Sequence, residues 1–131
     1  PSKRGLTAMA FDSTRCVTVL FGGINNGVGY NDTWEYNGVN WSKIAATLAP
    51  SARWAHALAY DPLKGLVLLF GGYTPGANKQ VNDTWTYDGK AWLKLQPAQS
   101  PSIREQHVLV FDGSRVLLYG GYGYRETWQF K

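Results

Sequence analysis

The sequence LLFGGYTPGANKQVNDTWTYDGKAWLKL, residues 68–95, contains an order of features that occurs more than once in this chain. A short apolar run ends at a glycine pair, a polar loop follows, and the chain continues as Asp-Thr-Trp, a turn and a segment that begins with Trp. Residues 19–44 repeat this order as VLFGGINNGVGYNDTWEYNGVNWSKI, and residues 117–130 repeat part of it as LLYGGYGYRETWQF. The copies begin at Pro1, Pro50 and Pro101, so the spacing is 49 and then 51 residues. Repeats of about this length are typical of propeller blades.

Each copy predicts the strands of one antiparallel sheet. The first strand is expected at 5–11, 54–60 and 105–111, and the apolar run that follows is too short for a helix. Asn37-Gly38 and Asp88-Gly89 are hairpin signals that place a fourth strand at 41–44 and 92–95. The third copy has no equivalent of that strand. We therefore predict an all-β chain of three blades, 1–49, 50–100 and 101–131, the last without its outer strand.

The pattern resembles the kelch repeat, and most closely its bacterial kind. In the first copy the matching residues are Arg4, Gly22, Gly23, Asn31, Asp32, Thr33, Trp34, Tyr36, Gly38 and Trp41. In the second they are Arg53, Gly71, Gly72, Asn82, Asp83, Thr84, Trp85, Tyr87, Gly89 and Trp92. The third copy departs from the pattern, because Arg125-Glu126 replaces Asn-Asp and Phe130 replaces Tyr. The resemblance implies kelch-type β-propeller blades, and its bacterial character suggests a secreted or cell-surface protein.

Composition and charge agree with this class. Six Trp, eight Tyr and fifteen Gly accompany only 17% charged residues, which favours β-structure with tight turns. The net charge of +4 is scattered along the chain, so we expect no nucleic-acid partner. No stretch approaches the roughly 20 apolar residues of a membrane-spanning helix, so no membrane partner is expected either. Cys16 is the only cysteine, and its place at the start of an apolar run predicts a buried small side chain.

The resemblance implies a ring of about six or seven blades, so three blades form only part of a circle. An open arc would expose two apolar blade faces and unpaired strand edges. We therefore expect either that two copies join into a six-bladed homodimeric ring or that the chain is part of a longer propeller. A two-fold ring would cover both faces at once.

Recognition is expected on the loops between the second and third strands, because these loops differ between copies while the strands repeat. They cover residues 24–32, 73–83 and 122–126. Their aromatic and amide side chains suit a peptide or a carbohydrate. The candidate ligand-binding residues are Asn25, Asn26, Tyr30, Tyr73, Asn78, Lys79, Tyr122 and Tyr124. The alternative is that these are ordinary solvated loop residues.

Three arginines recur just before the first strand of each copy, at Arg4, Arg53 and Arg104. In a closed ring they could line the mouth of the channel and attract a carboxylate or a phosphate. Alternatively, each pairs with an acid such as Asp32 or Asp83, and repetition favours that structural role. The aspartate of the Asn-Asp-Thr segment is expected to bond to the loop backbone. His56 and His107 are expected to be satisfied residues of the inner strand, so no metal site is predicted.

We expect a non-catalytic scaffold that binds a protein, a peptide or a carbohydrate, without a cofactor. No nucleophile or phosphate-binding motif occurs in the sequence. Some kelch-like propellers are sugar isomerases or copper radical oxidases, so a carbohydrate-active enzyme is the alternative that the resemblance implies. A purely structural propeller fragment or assembly module is the third possibility.

Overall fold

The computed structural model describes all 131 residues, Pro1–Lys131, as fifteen β-strands. No part of the chain forms a helix with the length and apolarity needed to cross a membrane. Blade 1 is a four-stranded antiparallel sheet in the order β1-β2-β5-β6. Its strands are β1 (Ala8–Asp12), β2 (Val17–Phe21), β5 (Thr33–Tyr36) and β6 (Trp41–Ile44), and its loop carries a short hairpin of β3 (Ile24–Asn25) and β4 (Val28–Gly29).

Blade 2 repeats this arrangement, and blade 3 repeats three of its strands. Blade 2 contains β7 (Ala57–Asp61), β8 (Leu66–Phe70), β11 (Thr84–Tyr87) and β12 (Trp92–Leu95), with a loop hairpin of β9 (Tyr73–Thr74) and β10 (Lys79–Gln80). Blade 3 contains β13 (Val108–Phe111), β14 (Val116–Tyr119) and β15 (Thr127–Phe130). The all-β class and the incomplete third blade are therefore confirmed. The blade boundaries at residues 49 and 100 stay a prediction.

The first strands of the three blades lie side by side, with β7 in contact with both β1 and β13. Small side chains permit this close approach, and Ala57 and Ala59 are both buried. The glycine pairs at the end of the second strands also permit neighbouring blades to approach closely. Gly71 has a φ of 64°, and a Cβ there would lie 2.8 Å from the carbonyl oxygen of Arg104 in the next blade. Adjacent blades are thus in backbone contact.

Blades 2 and 3 each bury one face against the blade before them. At the junction of blades 1 and 2, the large side chains of blade 2 pack on a smaller surface formed by Ala10, Val19 and Phe21 of blade 1. These large side chains are Leu58, Tyr60, Val67, Leu69, Trp85, Tyr87 and Trp92. At the junction of blades 2 and 3, Ala59, Leu68 and Phe70 pack against blade 3. The core of the molecule therefore lies between its sheets, as the propeller-type arrangement predicts.

The two junctions differ in their polar contacts. The hydroxyl of Tyr87 donates to Oε1 of Glu35 at 2.9 Å across the first junction. Burial and the adjacent Glu35 carboxylate raise the pKa of Tyr87, which keeps the phenol protonated as a donor. In the second junction the equivalent positions hold Phe130 and Thr86, so the acceptor and the donor are both replaced.

The arc exposes the two faces that have no neighbouring blade. On the leading flank, in blade 1, Met9 and Phe11 are 56% and 57% exposed, whereas the equivalent Leu58 and Tyr60 of blade 2 are buried. On the trailing flank, in blade 3, the exposed residues are Val108, Val110 and Tyr119. This exposure agrees with the expected open arc.

The prediction for Cys16 is wrong. Cys16 is exposed, because it lies in the turn before β2 with a φ of 55°. Its thiol contacts the carbonyl oxygen of Ser13 at 3.6 Å. The apolar run therefore begins one residue later than the sequence suggested.

Candidate functional site

The loops between second and third strands lie beside the segments that lead into each blade. Backbone bridges join Gly5 to Ile24 and Trp54 to Tyr73. The variable loops and the blade-to-blade connections therefore form one face.

A chain of backbone hydrogen bonds supports this face from blade to blade. Ala55 N–H donates to the carbonyl of Leu6, and Gln106 N–H donates to the carbonyl of Ala55, both at 2.8 Å. Leu6, Ala55 and Gln106 all adopt positive φ, from 51° to 58°. Such backbone is uncommon for residues other than glycine and persists where the surroundings fix it. The segments beside the loops are therefore linked from blade to blade by backbone hydrogen bonds.

The three recurring arginines are paired within their own blades. Arg4 and Arg53 each form two hydrogen bonds to one carboxylate, with shortest distances of 2.5 Å to Asp32 and 2.7 Å to Asp83. Arg104 pairs with Glu126 through a single hydrogen bond, and its side chain is fully buried. Arg53 also donates to the carbonyl of Gly71 at 3.0 Å. Each guanidinium group is therefore engaged within its own blade, which agrees with the structural alternative.

The acidic partners differ from the expectation that they cap the loop backbone. Asp32 and Asp83 accept from an arginine and also from the indole N–H of Trp34 and Trp85 respectively, at 2.7 Å. Burial alone would raise the pKa of Asp83, but the hydrogen bonds and charge of Arg53 hold it below its usual value. Asp83 therefore remains ionised and serves the ion pair.

The candidate tyrosines differ in how much of each ring is available to a ligand. The Arg4 guanidinium lies over the ring of Tyr30, and the Arg104 guanidinium lies over the ring of Tyr124, each 4.2 Å from the ring centroid. One face of each ring is therefore covered by the chain itself. Tyr122, by contrast, is 77% exposed.

In blade 2 the hairpin holds its own side chains together. The ring of Tyr73 stacks on Trp54 at 4.9 Å, and its hydroxyl donates to Oδ1 of Asn78 at 2.5 Å. Asn78 and Lys79 are exposed at the tip. In blade 1, Asn26 is exposed and Asn25 is half-buried.

A small notch between the blade 2 hairpin and blade 3 brings some of these residues together. It measures about 130 Å³ and is lined by Gln80, Ile103, Arg104, Glu105, Tyr122 and Tyr124. The side-chain amide of Gln80 donates to Oε1 of Glu105 at 3.1 Å across the junction. Gln80, which lies in the predicted loop 73–83, and Ile103 and Glu105, which flank Arg104, were not among the candidate residues.

Both histidines lie directly before the first strand of their blade, edge-on to the phenylalanine of the preceding blade. Nε2 of His107 lies 3.0 Å from the carbonyl oxygen of Phe70, whereas its Nδ1 has no partner. The hydroxyl of Thr7 donates to the equivalent carbonyl of Phe21, and neither ring nitrogen of His56 has a partner. Burial lowers the pKa of His56 to about 3, assisted by the charge of Arg53, and lowers that of His107 to about 4. Both are neutral structural residues near pH 7.

Comparisons with known proteins agree with the architecture. The family model described as the KLHDC2/KLHL20/DRC7 Kelch-repeats domain matches residues 5–130. The chain is also 33% identical over 129 residues to the dynein alpha chain of the flagellar outer arm of Chlamydomonas reinhardtii. That alignment covers 84% of this chain, and the chain spans about 3% of the length of that relative.

Proposed function

The chain belongs to the kelch-repeat family, and we propose that it is a non-catalytic scaffold that recognises a protein or peptide segment through the loops of one face. Kelch-repeat domains of this family are generally interaction domains. The proposal rests on a contrast between the repeated residues below the loops, which bond to one another, and the loop residues, which are exposed. The arginines and the backbone chain of Leu6, Ala55 and Gln106 are occupied in internal bonds, whereas Tyr122, Asn78 and Lys79 are exposed above them.

The notch beside Tyr122 supports a peptide ligand in particular. Glu105 accepts a hydrogen bond from Gln80 through Oε1 only, so its carboxylate has further capacity to accept. Tyr122 offers an exposed ring next to that carboxylate. An aromatic surface beside one acceptor suits a peptide side chain with an apolar stem and an N–H donor. We therefore place Tyr122 and Glu105 at the centre of the contact.

A random peptide library and a glycan array, both probed with the wild-type chain, test this function. Selected peptides should lose most of their affinity for Tyr122→Ala and Glu105→Gln. They should bind normally to Lys90→Ala, since Lys90 lies in the turn at the opposite end of the blade. Peptide binding that both loop variants retain would overturn the loop assignment. Binding to glycans alone would instead favour the carbohydrate alternative.

We also propose that the partner at the flanks is a second copy, so that two arcs form a six-bladed ring. The support is the match between the end faces and the buried junction. Tyr36 of the leading flank is equivalent to Tyr87, and Gln129 of the trailing flank is equivalent to Glu35. A second copy could therefore reproduce the hydrogen bond of the first junction, with the amide oxygen of Gln129 as acceptor. Trp41 and Thr127 are equivalent to Trp92 and Thr33 and would meet in the same way.

A further inference from the structure

Glycine follows an aspartate or an asparagine at four places in this chain. The pairs are Asn26-Gly27, Asn37-Gly38, Asp88-Gly89 and Asp112-Gly113. In the last three pairs, Oδ1 of the first residue accepts hydrogen bonds from two backbone N–H groups of the same turn, at 2.8 to 2.9 Å. Asn26 differs from the others, since its side chain is exposed and its amide forms no hydrogen bond.

Asn26 and Gly27 form the tip of the short hairpin of β3 and β4. Asn25 pairs with Val28, so the connection consists of these two residues, with φ values of 48° and 80°. Two successive positive φ angles are typical of a type I′ turn. Gly27 is exposed as well, and a Cβ at this position would have no neighbour within 4 Å. The peptide group between the two residues is therefore unobstructed.

The hairpin that carries Asn26 is also small. β3 and β4 pair over two residues, whereas Asn37 lies between β5 and β6, which pair over four residues inside blade 1. Short exposed elements open locally at a low cost in free energy. The side chain of Asn26 can therefore approach the next peptide nitrogen without disturbing a blade.

We propose that Asn26 is a site of spontaneous deamidation, a covalent modification that needs water and no enzyme. The backbone nitrogen of Gly27 attacks Cγ of Asn26, and a bond forms between these atoms as the bond from Cγ to Nδ2 breaks. The side-chain nitrogen leaves as ammonia and takes the proton of the Gly27 nitrogen. Water then opens the cyclic imide at one of its two carbonyl groups, which gives aspartate or isoaspartate. Glycine favours the first step because it has no Cβ to obstruct the attacking nitrogen.

The modification changes the charge and the backbone of the loop face. Asn26 belongs to the loop 24–32, and its conversion replaces a neutral amide by a carboxylate. In isoaspartate the backbone of the turn is also longer by one carbon atom. Turn geometry fixes the register of a hairpin, so the pairing of β3 with β4 should weaken in that product. The modification does not depend on whether this loop binds a ligand.

Peptide mapping by mass spectrometry, applied to the whole chain after incubation at mildly alkaline pH, measures the loss of the amide at each asparagine. One sample is kept folded and a second is kept in concentrated urea. In urea, Asn26 and Asn37 should convert at similar rates, because glycine follows both. In the folded chain, Asn37 should convert roughly ten- to thirtyfold more slowly than Asn26, because its two hydrogen bonds have to break first.

Asn78 is a control within the same chain. It is exposed and has a φ of 49°, close to that of Asn26. However, Lys79 follows it, and its Oδ1 accepts a hydrogen bond from the hydroxyl of Tyr73. Asn78 should keep its amide while Asn26 is converted, so turn conformation alone would not account for the reaction.

Two variants keep the result decisive. Asn26→Gln retains an amide, but its longer side chain cannot form the five-membered imide. Ion-exchange chromatography of the incubated wild type should resolve an acidic species that is absent from Asn26→Gln and present in Asn78→Gln. The proposal is wrong if Asn26 keeps its amide in the folded chain over the time in which the urea sample is converted. It is equally wrong if Asn37 converts as fast as Asn26 in the folded chain.

Discussion

The indole nitrogen of Trp92 donates to the hydroxyl of Thr33, 2.9 Å away and in the neighbouring blade. Both side chains are buried, so this single bond links the outer strand of blade 2 to the third strand of blade 1. The outer strand of blade 2 is therefore stabilised by the neighbouring blade as well as by its own sheet.

We expect Trp92→Phe and Thr33→Val each to lower the free energy of unfolding by about 1–3 kcal/mol, because each leaves a buried polar group unpaired or removes packing. The double variant should cost less than the sum of the two single variants, since both remove the same bond. Urea unfolding followed by circular dichroism measures all four proteins. Strictly additive losses would contradict a direct bond.

Arg53→Met should destabilise the chain by about 3–5 kcal/mol, because it leaves the buried side of the Asp83 carboxylate without its cation. Arg115→Met is the matched control. Arg115 is exposed and bonds to Gln129, so its loss should stay within about 0.5 kcal/mol. Equal melting temperatures for the two variants would argue against a structural role for Arg53.

Stability should fall as the pH falls from about 6.5 to about 4. The unfolded chain protonates its histidines near pH 6.5, whereas burial keeps His56 neutral down to about pH 3 and His107 down to about pH 4. The unfolded state therefore binds more protons in this window, and each histidine contributes a slope of up to about 1.4 kcal/mol per pH unit. The half-buried carboxylates Asp32 and Asp83 have lowered pKa values, so they reduce stability at more acidic pH, where the unfolded chain protonates its aspartates.

Denaturation titrations across this range, with His56→Leu and His107→Leu, measure the effect. Each substitution should reduce the slope between pH 6.5 and 5, whatever it does to stability at pH 7. An unchanged slope in both variants would mean that the histidines are protonated in the folded chain.

Sedimentation should find a particle of about twice the 14.6 kDa chain mass, because two copies would cover both flanks. Phe11→Asp places a charge on the leading flank and should shift the population to the single chain. Leu63→Asp is the control, since Leu63 is also exposed but lies in the turn between β7 and β8. A wild-type chain that stays at 14.6 kDa at high concentration would exclude the ring.

Most of the fold could be predicted from the sequence because each repeat carries local signals. The apolar runs, the glycine pairs and the hairpin turns at Asn37-Gly38 and Asp88-Gly89 each specify an element without reference to distant residues. Cys16 was misplaced because its turn conformation has positive φ, which an apolar flank does not reveal.

The candidate site was less accessible to sequence reasoning. The pairing of Arg53 with Asp83 spans 30 residues, so repetition favoured it in the sequence, but the contact itself could not be read there. The contact between Gln80 and Glu105 depends on how two blades meet, and neither residue recurs. The bond from Trp92 to Thr33 likewise requires the register between sheets.

Glu35 and Tyr87 meet at the first junction, whereas Thr86 and Phe130 hold the equivalent positions at the second. The blades therefore cannot replace one another without changing these contacts. If blade 2 were duplicated in place of blade 3, a tyrosine hydroxyl would face Thr86 where a hydrocarbon ring now lies. The facing side chains at each junction therefore determine which blade fits beside which. A chain with its blades in another order would need new pairs of facing residues as well as new loop connections.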